Sequence, residues 1–423
     1  MEIGSDANSI ETREAHEING EFDMDHLSGT LNFKLPYLLP GQKNLDEGST
    51  ALDITRLKKY DTVNLYFHDS GIELQDERES DILRNDENGT QVRLRRVFFG
   101  FIKGISLSKG KGNINYSISA VGTLGLAEER NLAFERKTGE LQNLLVGVPQ
   151  DNQLNNDDIG ILQLTFGDQT NVIIPEVQFI DLEANTLFVD LQGGKNLQSV
   201  LNQIRENYAV IIHQEGNGTL TVMTPFFLLQ ARQNEHLNFN AWAFELEKGN
   251  VFTINYGDLT SNINSVVVLG YPPNFGVAVD PITVQLNAGS GNTPTEANFN
   301  YLIFEQRDLV SDEDCQKVAR QKLLEIMRNF AIKFKVPFHP NYSVGQPLTI
   351  NDNDRFTDGQ VWIMKAYSFN ISKDDVSCDI TAYAHALDVF PEAIVIDPTG
   401  IADVDALEFR EKTDDPGTWE ANL

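Results

Sequence analysis

The chain has 423 residues, enough for two or three domains with sizeable cores, and its 41 % hydrophobic against 22 % charged residues mark it as globular. No stretch approaches the roughly 18 uninterrupted apolar residues of a membrane span, and the start MEIGSDANSIETREAHEINGE has neither the basic opening nor the apolar run of a secretion signal. A net charge of −29 sets the chain against nucleic acid and anionic membranes; it fits plain solubility, or a surface past which DNA slides without sticking.

The first clear element is a strand. Val63, Leu65 and Phe67 alternate with Thr62, Asn64 and Tyr66, the period-two pattern of antiparallel sheet buried on one face. An acidic insertion at 69–90 follows, with eight acids against Arg78 and Arg84. The sign then reverses. From Gln91 to Gly112 stand Arg93, Arg95, Arg96, Lys103, Lys109 and Lys111, with no acid among them. Two readings are open: outward strand positions balancing the insertion, or a contact surface for an acidic neighbouring subunit. Phe98, Phe99 and Phe101 are needed for the core, so the island lacks the stacking aromatics of a nucleic-acid site. Ile114, Tyr116, Ile118 and Ala120 then mark another alternating strand.

Residues 128–180 are rich in Asn, Asp and Gln, and 186–224 predict strand, helix, strand, strand. The helix, 196–208, sets Leu197, Leu201, Ile204 and Tyr208 on one stripe, and a Gly-Asn-Gly turn at 216–218 joins the last two strands. This segment reads as an inserted α/β domain. NINSVVVLGYPP (262–273) is expected to open a second β domain, with a long loop at 272–298. A second helix is expected over 311–330, with Cys315, Ala319, Leu323, Ile326 and Phe330 in line, Ser311 as N-cap and acids in the first turn. Cys378 lies on the apolar face of the alternating strand Val376, Cys378, Ile380, Ala382, so both cysteines are expected in cores and not in a disulfide framework. The 33 residues from Pro391 onward are acidic and aperiodic, an expected tail that orders only against a partner.

Residues 99–121 (FGFIKGISLSKGKGNINYSISAV) align without a gap with 361–383 (VWIMKAYSFNISKDDVSCDITAY), at a constant offset of 262. Lys103 meets Lys365, Ser106 meets Ser368, Ile118 meets Ile380 and Ala120 meets Ala382. Upstream, the strand within 60–67 corresponds to the strand within 344–351, with Val63 on Leu348 and Leu65 on Ile350. The acidic insertion of the first copy is replaced in the second by the short DNDRFTDG. Each copy therefore reads as strand, variable loop, strand, turn, strand: a small antiparallel barrel used twice.

Motifs of chemistry are missing. The seven histidines are scattered, and there is no His-Glu-x-x-His, Cys-x-x-Cys, G-x-S-x-G or phosphate-cradling glycine pattern. Acids are plentiful but no pair stands out as a glycosidase couple. The run Asn351-Asp352-Asn353-Asp354 with Asp358 lacks the Gly and Glu placement of an EF-hand and reads as a solvated turn. The expectation is a chain that is not an enzyme, with no cofactor and no metal.

The order of these pieces carries a resemblance. VFFGFIKGI runs into an alternating strand, the helix LQSVLNQIREN lies in an inserted domain, NSVVVLG precedes the helix SDEDCQKVARQKL, and VGQPLTI and GQVWIMKA lead to a final alternating strand. Over roughly residues 20–390 this resembles the baseplate hub proteins of contractile-tailed phages, of the late-control-protein type. Related proteins form the hub half of secretion-system spikes. The resemblance implies a mainly β, α+β chain with two similar antiparallel β-barrel tube domains (1–127 and 246–390), an inserted α/β domain (128–245) and a tail (391–423). It implies a homotrimer whose six similar barrels join a hexameric tail tube above to a trimeric spike below, among other baseplate subunits. DNA would pass the lumen without specific binding, and the chain would sit in the virion. No run of short repeats follows residue 390, so the piercing tip and any lytic domain are expected on separate chains. Two other functions stay open: a carbohydrate-binding or carbohydrate-degrading tail protein, and the hub of a non-phage contractile injection system.

Overall fold

A computed structural model describes residues 2–3, 10–11, 15–36, 57–67, 81–85, 90–109, 114–129, 132, 136–147, 159–166, 174–180, 186–224, 232–240, 253–256, 263–280, 284, 287–289, 292–293, 295–327, 331–351, 361–373, 375–384, 409–411 and 419–421. The chain is mainly β with some helix. One sheet of fourteen strands carries most of it. Across this sheet, five strands lie in the order His16–Asp23, Thr30–Pro36, Ile114–Val121, Gln91–Lys109, Thr62–Phe67. Beside them lie five more in the corresponding order: Thr253–Tyr256, Ala331–Pro337, Val376–Ala384, Val361–Ile371, Pro347–Asn351. The strand order of one five-strand unit thus recurs in the other, and both lie in one continuous sheet.

The register repeats with the sequence. In the first hairpin Phe101 faces Val121, Ile102 faces Ala120, and a bulge at Lys103 shifts the pairing so that Gly104 faces Ser119 and Leu107 faces Tyr116. In the second, Ile363 faces Tyr383, Met364 faces Ala382, a bulge falls at Lys365, Ala366 faces Thr381 and Phe369 faces Cys378. The turn entering the neighbouring strand is duplicated down to its hydrogen bonds. Tyr60 N–H donates to the Ile102 carbonyl and Ile102 N–H to the Asp61 carbonyl. Likewise Gly345 N–H donates to Met364 and Met364 N–H to Gln346. Asp61 Oδ2 accepts from the Lys58 N–H at 2.8 Å, as Gln346 Oε1 does from the Ser343 N–H at 2.8 Å. Tyr60 and Gly345 both sit at positive φ, 74° and 85°. A tyrosine held there pays for a conformation that glycine adopts freely.

A further pair of strands matches between the two units. TLNFKLP (30–36) and AIKFKVP (331–337) cross their hairpins in the same register, Leu31 on Ala120 and Ile332 on Ala382. Leu31, Phe33 and Leu35, and Ile332, Phe334 and Val336, all point into one shared core with Phe98, Ile118, Trp362 and Ile380.

A second core lies under the two helices. Leu197–Tyr208 is capped by Asn196, whose Oδ1 accepts from Ser199 N–H at 2.8 Å, and buries Leu197, Leu201, Ile204 and Tyr208 as the stripe predicts. Asp312–Met327 is capped by Ser311, whose Oγ accepts from Asp314 N–H at 3.1 Å. Cys315, Ala319 and Leu323 are buried, Ile326 is partly buried, and Phe330 lies outside the described residues. These helices share their core with Val266, Val268 and Ala278. Here the expectation for 262–273 is corrected. Ser265–Leu269 does not open the second unit; it is the middle strand of a separate sheet between Phe275–Val279 and Tyr301–Glu305. The predicted 272–298 loop likewise contains a strand. Conversely, Leu237–Asn240, expected within the insert, pairs in parallel with Leu348–Asn351 of the second unit.

Candidate assembly surface

The basic island lies on the longest strand, Gln91–Lys109, which pairs in turn with Ile82–Asn85, Thr62–Phe67 and Ile114–Val121. The structure divides the island. Arg93 is half-buried opposite Leu83. Arg95 is 1 % exposed: its Nη2 lies 3.0 Å from Asp81 Oδ2, its Nε donates to Asp81 Oδ1 at 3.3 Å, and its Nη1 donates to Asn341 Oδ1. This side chain cannot belong to a subunit contact. It braces the first unit against the turn that precedes Pro347–Asn351, and its acid comes from the insertion that the charge count paired with the island. Arg96, half-buried, donates to the Asn217 carbonyl at the tip of the hairpin and lies over the Phe99 ring at 5.1 Å. Lys103 is exposed at the bulge, Lys109 ends the strand, and Lys111 lies outside the described residues. The island is thus no single surface. Phe98, Phe99 and Phe101 are buried.

Sequence reasoning missed a second ionic group. Arg232 pairs with the largely buried Glu215, which also accepts from Thr221 Oγ1 at 2.9 Å, while Arg232 Nη1 donates to Ser343 Oγ at 3.0 Å. Burial would raise the Glu215 carboxyl, but the Arg232 charge and the hydrogen bonds from Arg232, Ser343 and Thr221 outweigh it and bring it down to about 2. A carboxylate so firmly ionised holds the hairpin Ile211–Met223 to the second unit and has no proton to donate at neutral pH. The thiols are equally unreactive: burial pushes Cys315 up to about 11 and Cys378 well above its usual value, so neither is a thiolate at neutral pH. Among the described residues no group of three or more His, Cys, Asp or Glu is placed to hold a metal ion. No described helix is long and apolar enough to cross a membrane. The run 352–360 lies outside the described residues, as does most of the tail.

One feature of the strand Gln91–Lys109 is open. Among the described residues, no strand pairs with the outer edge of its last part, Gly104–Lys109. Two apolar side chains there, Ile105 and Leu107, are exposed.

No family model and no curated protein matches the chain in sequence. Its fold is that of tail proteins. It superposes on the 43 kDa tail protein of prophage MuSo2 from Shewanella oneidensis with a TM-score of 0.56 and 10 % identity, covering 93 % of this chain and 99 % of that one. For a tail protein from Neisseria meningitidis MC58 the TM-score is 0.57 at 12 % identity, covering 93 % and 98 %. For the prophage tail protein gp18 from Listeria monocytogenes EGD-e it is 0.50 at 10 % identity, covering 96 % and 98 %.

Proposed function

We propose that this chain is a structural, non-enzymatic subunit of a phage-type tail: the hub that joins a sixfold tube to a threefold spike in the virion. One observation carries the reading. Two units with the same strand order, the same bulge and the same turn hydrogen bonds lie side by side in one sheet. A chain that presents one kind of surface twice is what a trimer needs in order to offer six equivalent positions to a hexameric partner. The tail-protein fold supports the setting, and the charge of −29 per chain suits a lumen through which DNA passes without sticking. The two tube units and a third body then divide the work. In that body the helix Leu197–Tyr208 of the insert packs with Val266, Val268 and Ala278 and with the helix Asp312–Met327 in one core. Electron-microscope images of the purified full chain test this reading. Rings with six similar lobes around a channel are expected; compact particles without a channel contradict it.

A further inference from the structure

We propose that the open edge of Gly104–Lys109 is filled by Thr253–Tyr256 of a second copy of this chain, in antiparallel pairing that sets Leu107 opposite Tyr256. The proposal rests on the hub reading in taking the chain to assemble with itself, and adds where the seam runs and in what register.

The pattern for this seam is inside one chain. Where the first unit meets the second, His16–Asp23 pairs with the end of Val361–Ile371, Gly20 facing Phe369, Asn19 facing Asn370 and Ile18 facing Ile371. The receiving strand has its counterpart in Gln91–Lys109, where the hairpin register puts Leu107 at the place of Phe369. The donating strand has its counterpart in Thr253–Tyr256. Gly20 faces Leu31, Tyr256 faces Ile332, and Leu31 and Ile332 hold equivalent places in the two units. Tyr256 therefore stands where Gly20 stands, and the dipeptide Ile18-Asn19 recurs as Ile254-Asn255. Thr253–Tyr256 ends the sheet among the described residues, so both halves of the second seam are present in each chain and unpaired there.

Burial agrees independently. Tyr367 and Phe369, at the filled seam, are 5 % and 2 % exposed, with Phe22 stacked on Tyr367 at 4.9 Å between centroids. Their counterparts Ile105 and Leu107 are 37 % and 45 % exposed. An unpaired strand edge with two apolar residues beside it is a liability in a chain that stays single. The two halves of the seam are different surfaces, so the contact is head-to-tail and propagates until a ring closes.

The test is cysteine pairing in the full chain, whose own Cys315 and Cys378 are both buried. Directly opposed positions alternate between hydrogen-bonded and non-hydrogen-bonded sites, so two variants are made: Leu107→Cys with Tyr256→Cys, and Ser108→Cys with Asn255→Cys. At least one is expected to form a reducible link between chains. A third, Leu107→Cys with Ile254→Cys, is out of register and is expected to stay unlinked. Oligomers that form without either in-register link, or with equal linkage in all three variants, overturn the seam and leave the hub reading standing. A chain that remains monomeric overturns both.

Discussion

Arg95 carries a charge into the interior, where Asp81 and Asn341 meet it from either side. Removing one partner of such a buried pair leaves the other uncompensated, at a cost of about 3–5 kcal/mol. Arg95→Glu is therefore expected to unfold the protein at markedly lower urea, whereas Lys103→Glu, on an exposed side chain, is expected to keep the wild-type midpoint. Glu215 gives a pH-dependent counterpart. Its folded value of about 2 lies below the ordinary 4.5, so its stabilisation is complete above pH 4.5 and is lost as pH falls toward 2. Glu215→Gln should lower unfolding free energy at pH 7 by on the order of 3 kcal/mol, with the gap to wild type narrowing between pH 4.5 and 2 in urea titrations. At this scale the sequence was readable where periodicity decides burial: the helix stripes at Leu197 and Cys315 landed as expected. It was not readable at Arg95, because an alternating strand shows which residues share a face but not whether a distant Asp81 and Asn341 close over that face.

Between elements, contact is made by backbone approach. Gly216, at the tip of the inserted hairpin, lies so close to the Val97 carbonyl that a Cβ would collide with it, and backbone cannot move aside as a side chain can. Gly216→Ala is expected to cost about 1–3 kcal/mol by forcing the hairpin off the first unit, read as a lowered melting temperature. The hairpins repeat at one offset because the turns within them are of equal length. The matching pair TLNFKLP and AIKFKVP escaped a gap-free comparison because the stretches of sequence that follow each differ in length, so the offset changes from strand to strand. Ser265–Leu269 lies in a different sheet from the one expected for a related reason: five consecutive buried residues show that a strand is covered on both faces, and say nothing about which strands flank it. Phe275–Val279 hides among turn residues and is short.

For the whole molecule, duplication within one sheet is the fact that demands an explanation. A single chain gains nothing from building the same bulged hairpin twice and, among the described residues, leaving the edge of Gly104–Lys109 unpaired. Three chains that meet edge to edge gain a closed set of six like positions. Closure fixes the number of chains, and the mass of the full chain at equilibrium, by sedimentation or native mass spectrometry, measures it without reference to any partner. A single species of three chains, each of 47.4 kDa, is the predicted result. A stable monomer, or a twofold dimer in which identical surfaces face each other, would contradict it.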